Sequence, residues 1–221
     1  QEIKVHNEQF PVEAVEAMGY HVYFHGQKSH YGVAFLAKKE PEWVSMGFPT
    51  DEEDAQRRMI ILKTTDDSGK PVTILNGYFP QGENISHEVN FPYKVAFYRD
   101  LTAHLQATHS SDELYVVMGD INISPTDLDI GIGPDNAKRW LRSGKCSFQP
   151  QEREMLATLQ GLGLHDTFRH LQPDLTERYS WFDYRSKGFV DNRGLRIDVI
   201  MASTGLLPLC TESEIDYALR G

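Results

Sequence analysis

Met59-Ile60-Ile61-Leu62 and Val72-Thr73-Ile74-Leu75 are two almost unbroken apolar runs on either side of Asp66-Asp67-Ser68-Gly69-Lys70. The pattern predicts two antiparallel strands, at 59–64 and 72–75, joined by a turn. With no polar alternation to mark a solvent face, both strands are expected to be covered on both sides. Further strands are predicted at 20–25, 31–37, 114–118 and 194–201. In the last, Leu195, Ile197, Val199 and Met201 alternate with Arg196, Asp198 and Ile200, so one face carries the charge. Helices are predicted at 11–18, 91–108, 135–142 and 151–162. Tyr98, Leu101 and Leu105 recur at helical spacing in the second, and Met155, Leu156, Leu159 and Leu162 in the fourth, where Gly163 follows as a stop. Strands mixed with helices, with at least one hairpin, imply a layered α/β or α+β domain.

The 221 residues suffice for one large domain, and no linker, repeat or low-complexity tract divides them, so a single domain over 1–221 is expected. Hydrophobic residues at 40% and charged residues at 24% exclude a disordered or fibrous chain. The longest apolar runs, such as Tyr115-Val116-Val117-Met118, fall far short of the roughly 18 residues that mark a membrane-spanning helix. No basic-then-apolar signal opens the sequence, and a soluble cytoplasmic protein without a membrane partner is the expectation. Cys146 and Cys210 are too few for a disulfide framework and lack zinc spacing, which favours a reducing compartment. The histidines form no HExxH or finger pattern; His21 and His25 lie in an aromatic, strand-like stretch.

The net charge of −10 argues against a polyanion partner, because affinity for nucleic acid comes largely from Lys and Arg. Its distribution changes that picture. Residues 1–130 carry 10 basic and 20 acidic side chains, whereas residues 131–200 carry 11 basic and 9 acidic. A basic surface therefore fits on an acidic protein.

Candidate chemistry gathers at strand ends. In Leu114 to Asp127 a buried strand delivers Asp120 to its carboxyl end, Gly119 permits close approach, and Asn122 follows two residues on. A carboxylate beside a neutral amide suits a site that orients or deprotonates water while holding phosphate oxygens. The same letters also describe a strand end followed by an Asx or Ser-Pro turn. Tyr78, in Asn76-Gly77-Tyr78-Phe79-Pro80-Gln81-Gly82, has a phenol that either donates to a phosphate oxygen or serves structure. Asp198 sits inside a strand, where a carboxylate is costly unless it pairs with Arg196 or another cation, or orients a catalytic histidine. Tyr179 to Lys187 interleaves four aromatics with two cations, fitting either base or sugar stacking or an aromatic core strand. Lys138, Arg139, Arg142 and Lys145 recur along a helix and its exit, where they track phosphate or form a solvated face. Arg57-Arg58 at the head of a strand is ambiguous.

Together these segments resemble the exodeoxyribonuclease III family of DNA-repair nucleases, within the endonuclease/exonuclease/phosphatase superfamily. The resemblance runs from Gln1-Glu2 through His30-Tyr31-Gly32-Val33-Ala34, 76–82, 119–129, Gly144-Lys145-Cys146-Ser147-Phe148 and 180–186 to Gly194-Leu195-Arg196-Ile197-Asp198. It implies a DNase I-like four-layer sandwich: two mixed β-sheets face to face with helices outside, and a site along one edge. It also implies a Mg²⁺ or Mn²⁺ phosphodiesterase, monomeric, acting on double-stranded DNA at abasic sites and 3′ ends. By resemblance Glu2 is the metal-ligating glutamate, Asp120 handles the attacking water, Asn122 binds phosphate, Tyr78 stabilises the transition state, and Asp198 pairs with the catalytic histidine. Trp181 and Phe182 match the pair lining an abasic-sugar pocket, and Arg57, Lys145 and Asn192 fall among the DNA-contacting positions.

The departure lies at both ends. Family members begin with a core strand bearing an asparagine and close on a Ser-Asp-His stretch, and neither is in this sequence. The chain is therefore expected to be a truncated copy or part of a longer one. Losing two interior strands would leave unpaired edges and poor solubility. A catalytically impaired DNA-binding fragment is the competing function, and hydrolysis of another phosphoester, such as a phospholipid, a third.

Overall fold

Every residue from Met59 to Leu62 is buried, because a layer lies on each side of the strand that carries them. The computed structural model describes residues 1–29 and 31–218; His30 of the family-like segment lies outside them. The strands are His21–His25 (β1), Val33–Ala37 (β2), Trp43–Met46 (β3), Met59–Thr65 (β4), Pro71–Tyr78 (β5), Leu114–Asp120 (β6), Leu164–Asp166 (β7), Trp181–Phe182 (β8), Gly194–Leu195 (β9) and Asp198–Ser203 (β10). The helices are Val12–Ala17 (α1), Asn90–Thr108 (α2), Pro134–Ser143 (α3), Pro150–Gln160 (α4) and Thr167–Leu171 (α5). All four predicted helices are present within a residue or two.

Six strands form one sheet in the order β3-β4-β5-β6-β10-β7, mixed because β5 and β6 run parallel while their neighbours are antiparallel. Successive side chains of a strand point to opposite faces. One set, Met59, Ile61, Leu75, Val117, Val199 and Met201, packs under Phe97, Tyr98, Leu101 and Leu105 of α2 and Leu156 and Leu159 of α4. The other set, Ile60, Leu62 and Ile74, meets Val33 and Phe35 of β2, and the antiparallel pair β1-β2 has α1 against β1. Helix, six-stranded sheet, small sheet and helix give the four-layer order. The predicted hairpin turn is held by Asp66, whose Oδ1 accepts from the Ser68 and Lys70 amides at 2.8 and 2.9 Å.

The single strand predicted at 194–201 is two. Gly194–Leu195 pairs with Trp181–Phe182, and Asp198–Ser203 crosses into the large sheet. The break is made by Arg196, which belongs to the predicted charged face and is only 1% exposed. Its amide donates to the Asp129 carbonyl, and its guanidinium reaches both Asp129 (2.7 Å) and Asp166 (2.5 Å). Arg169 adds a second cation on Asp129 at 2.5 Å, and Asp166 also caps α5 through the Phe168 and Arg169 amides. Cys146 is buried, Cys210 half-buried, and both are free.

Breaking a buried ion pair strands a charge and costs about 3–5 kcal/mol. Arg196→Met is accordingly expected to lower unfolding free energy by about that amount in a urea titration; a loss below about 1 kcal/mol would mean that the pairing is dispensable. Burial raises Asp129, but Arg196, Arg169 and Thr126 together lower it more, so it ends below the usual carboxylate range. Its contribution is thus present above the ordinary value and lost as pH falls, so the wild type should lose more stability on acidification than the variant.

Candidate active site

Two residues without side chains bring the site strands together. Gly77 and Gly119 are register partners in β5 and β6, and a Cβ on Gly119 would lie 1.8 Å from the Gly77 carbonyl oxygen. Gly119 also has φ +140°, which L side chains rarely adopt. One residue further on, Tyr78 faces Asp120, and across the antiparallel pair Asp120 faces Asp198. Tyr78, Asp120 and Asp198 therefore stand abreast at the ends of three adjacent strands. The Ser180 hydroxyl accepts from the Ile197 and Asp198 amides at 3.0 and 2.9 Å, fixing where β10 begins.

Glu2 arrives from the opposite end of the sequence. The Ile3 and Lys4 amides bond the Gly32 and Tyr31 carbonyls, and Gln1 Nε2 donates to Asn76 Oδ1 at 2.7 Å. This places the Glu2 carboxylate to accept from the Tyr78 hydroxyl at 2.8 Å. Asn122 is buried with φ 52°; its amide N–H donates to Asp120 Oδ1 (2.9 Å) and its Nδ2 to the Phe79 carbonyl (2.8 Å).

A cavity of about 330 Å³ is lined by Glu2, Tyr78, Asp120, Asn122, Lys145 and Trp181, with Gln81, Trp140 and Ser147 in its wall. Six residues singled out in the sequence thus share one space. Gln81, Trp140 and Ser147 were missed, since each looked like loop or helix surface. Asp198 lines an adjoining cavity of about 370 Å³ with Gln1, Gly119 and Ser180. The Arg196 pairing considered for Asp198 is not made, because that guanidinium is engaged by Asp129 and Asp166.

Three predicted residues lie outside both cavities. Phe182 follows Trp181 in a strand and so points the other way, into an aromatic cluster with Phe189 at 5.1 Å and Tyr179 at 6.3 Å. Arg57 is drawn to the small sheet, donating to the Gly26 carbonyl at 2.6 Å. Asn192, in a left-handed turn with φ 48°, bonds the Glu177 carbonyl at 3.2 Å. A larger cavity of about 620 Å³, near Lys70, Thr73, His104 and Tyr115, lies at the other end of the sheet and holds none of these groups.

Electrostatics single out Asp120. Burial, then the charge of Asp198 and, more weakly, of Glu2, pushes its carboxyl up to about 8. Burial and the Glu2 carboxylate push the Tyr78 phenol well above its usual range, so it remains a proton donor. Burial lowers the Lys145 ammonium, which lies 3.7 Å over the Trp140 ring. Burial pushes the thiol of Cys146, the chain neighbour of Lys145 and Ser147, up to about 12.

The model of the endonuclease/exonuclease/phosphatase family matches residues 1–220. The chain belongs to the endonuclease/exonuclease/phosphatase family. It is 54% identical to exodeoxyribonuclease III of Haemophilus influenzae over 220 residues, covering 100% of this chain and 82% of that one. Solved relatives include a 3′ phosphatase from Neisseria bound to product DNA hairpin (32% identity, TM-score 0.81, 94% of this chain and 76% of that one). An AP endonuclease from Archaeoglobus fulgidus matches at 32% identity and TM-score 0.82 over the same shares. The chain is a hydrolytic nuclease of DNA repair with the DNase I-like fold. Among the described residues no helix is long and apolar enough to cross a membrane.

This family of nucleases depends on a divalent metal. Among the described residues no three His, Cys, Asp or Glu side chains form a ready cluster. The donors nevertheless fit a hard cation: Glu2 and Asp120 share one cavity, offer only oxygen, and the Glu2 charge raises the proton affinity of Asp120. Mg²⁺ commonly uses one or two carboxylates and completes its shell with water and substrate phosphate.

Without a cation, the raised value of Asp120 gives stability that is complete below its ordinary 3.8 and lost as pH climbs through about 8. Melting of the wild type in EDTA should therefore move to lower temperature from about pH 7 to about pH 9 more than that of Asp120→Asn. Superimposable profiles for the two proteins would refute the crowding of charge at Asp120.

Proposed function

We propose that this chain is a Mg²⁺- or Mn²⁺-dependent phosphodiesterase that cuts duplex DNA 5′ to abasic sites, removes nucleotides from 3′ ends and clears blocked 3′ ends. The observation that carries this is the row of Tyr78, Asp120 and Asp198, with Glu2 bonded to Tyr78, at one mouth of the sheet. The names of the Archaeoglobus and Neisseria relatives support the abasic and 3′-end activities respectively. A monomer in the cytoplasm accords with the bacterial exodeoxyribonuclease III relative.

Glu2, with Asp120 near it, is the metal holder in this proposal; the bound cation supplies polarisation of the phosphoryl oxygen and stabilisation of the leaving 3′ oxygen. The chain's own groups do the rest. Asp120, deprotonated, orients the attacking water and accepts its proton. The protonated Tyr78 phenol donates to the negative charge that develops on phosphorus oxygens. Asn122 Nδ2, already bonded to the Phe79 carbonyl, retains a second proton for phosphate. Trp181 offers a stacking surface for an extruded sugar or base, and Lys145 neutralises a neighbouring phosphate. In this proposal Arg57 and Asn192 contact DNA outside the cavity, and Phe182 backs Trp181 from the aromatic cluster.

Cleavage of a labelled duplex with one abasic site, in Mg²⁺ and in EDTA, tests the proposal. Removing a positioned base costs about 10²–10⁴-fold, and that loss is expected for Asp120→Asn in Mg²⁺. Cutting in EDTA, or an Asp120→Asn rate equal to wild type, would reject it. A version extended at both ends runs alongside: if only that version cuts while 1–221 binds the duplex, residues 1–221 are a DNA-binding fragment.

A further inference from the structure

Lys94 is fully buried in the second turn of α2, on the same helical face as Phe97, Tyr98 and Leu101, where a lysine is unusual. An ammonium has three protons, and each has an acceptor: the Gln81 carbonyl at 3.2 Å, the Asn122 carbonyl at 2.9 Å and Glu152 Oε1 at 2.5 Å. Glu152 is equally buried. Its second oxygen accepts from the Ser147 and Gln149 amides, both at 2.8 Å. Gln149 extends the connection, donating through Nε2 to the Trp140 and Lys145 carbonyls at 3.0 and 2.8 Å.

The loops joined this way follow three different elements, and they are the loops that wall the site. Gln81 follows the Tyr78 strand, Asn122 follows the Asp120 strand, and Ser147, Lys145 and Trp140 form the facing wall. Two of the gripped residues are non-glycine with positive φ, Asn122 at 52° and Ser147 at 126°. Such backbone persists only where its surroundings over-determine it. The fit is also tight: a Cβ on Gly82 would lie 2.9 Å from Lys94 Cδ.

We propose that the Lys94–Glu152 pair is the positioning device of the active site, fixing the loops of Gln81, Asn122 and Ser147 relative to the ends of β5 and β6. It touches no substrate and acts through Asn122 and the Lys145–Ser147 wall. This rests on the nuclease activity proposed above.

A buried pair exchanged as a whole for apolar residues of similar size keeps stability, whereas losing one partner does not. That separates positioning from support. Lys94→Met and Glu152→Leu are each expected to lower the melting temperature, and the double variant to recover part of it, since no charge is left unpaired although the Ser147 and Gln149 amides lose their acceptor. The double variant should still show kcat reduced tenfold or more on the abasic duplex, with KM within threefold of wild type. Recovery of both melting temperature and kcat would overturn the proposal. If the double variant does not fold, Glu152→Gln is measured. Whichever way its amide turns, either Lys94 or the Ser147 and Gln149 amides lose an acceptor; the same tenfold fall in kcat is expected, and an unchanged kcat overturns the proposal. Should wild-type 1–221 itself fail to cut, the activity proposal is what fails. The positioning is then read by hydrogen exchange: in whichever of these variants folds, the Asn122 and Ser147 amides should exchange at least tenfold faster while those of β5 and β6 keep their protection. Unchanged exchange at Asn122 and Ser147 would overturn it.

Discussion

Asp120 and Asp198 face one another across an antiparallel pair, a placement that repels and that a sheet tolerates only where something holds it. Much of the molecule can be understood as that holding. Gly77 and Gly119 let β5 and β6 close to backbone contact, so the end of β6 has no room to retreat. On the other side, Arg196, bonded to Asp129 and Asp166, turns the chain from one sheet into another, and Ser180 fixes the first two amides of the turn. The crowded negative charge thus sits where a cation would relieve it.

The large elements were legible because their physics is local. The hairpin from 59 to 78 and the helices at 91–108 and 151–162 follow from apolar runs, turn residues and helical spacing, and they recur within a few residues. The site strand ending in Asp120 was legible for the same reason. Arg196 was not: alternation of Leu195, Ile197 and Val199 assigns it to the charged face, and only the distant Asp129 and Asp166 allow it to be buried there. Phe182 was paired with Trp181 by resemblance, whereas neighbours in a strand face opposite ways and its ring turns to Phe189 and Tyr179. A signal for the hidden pair was available. Lys94 falls at the i−3 and i−4 positions of Phe97 and Tyr98, and Gln149-Pro150-Gln151-Glu152 has the spacing of a capping box.

The basic stretch between 131 and 200 also proves to be two populations. Arg153, Arg169, Arg193 and Arg196 are engaged with Asp127, Asp129, Asp191 and Asp166 and serve the fold. Lys138, Arg139 and Arg142 lie along α3, and Lys145 follows it at the cavity. A positive rim next to the site is therefore compatible with a strongly acidic molecule, and the charge that meets a polyanion is smaller than the count of cations suggests.

Cys146 is fully buried between Lys145 and Ser147 in the chain, and burial pushes its thiol up to about 12. Peroxide and disulfides react with thiolates rather than thiols, so at neutral pH this sulfur is chemically quiet. A reactive thiol between two residues of the site would couple the enzyme's activity to the redox state of its surroundings; the burial of Cys146 uncouples them.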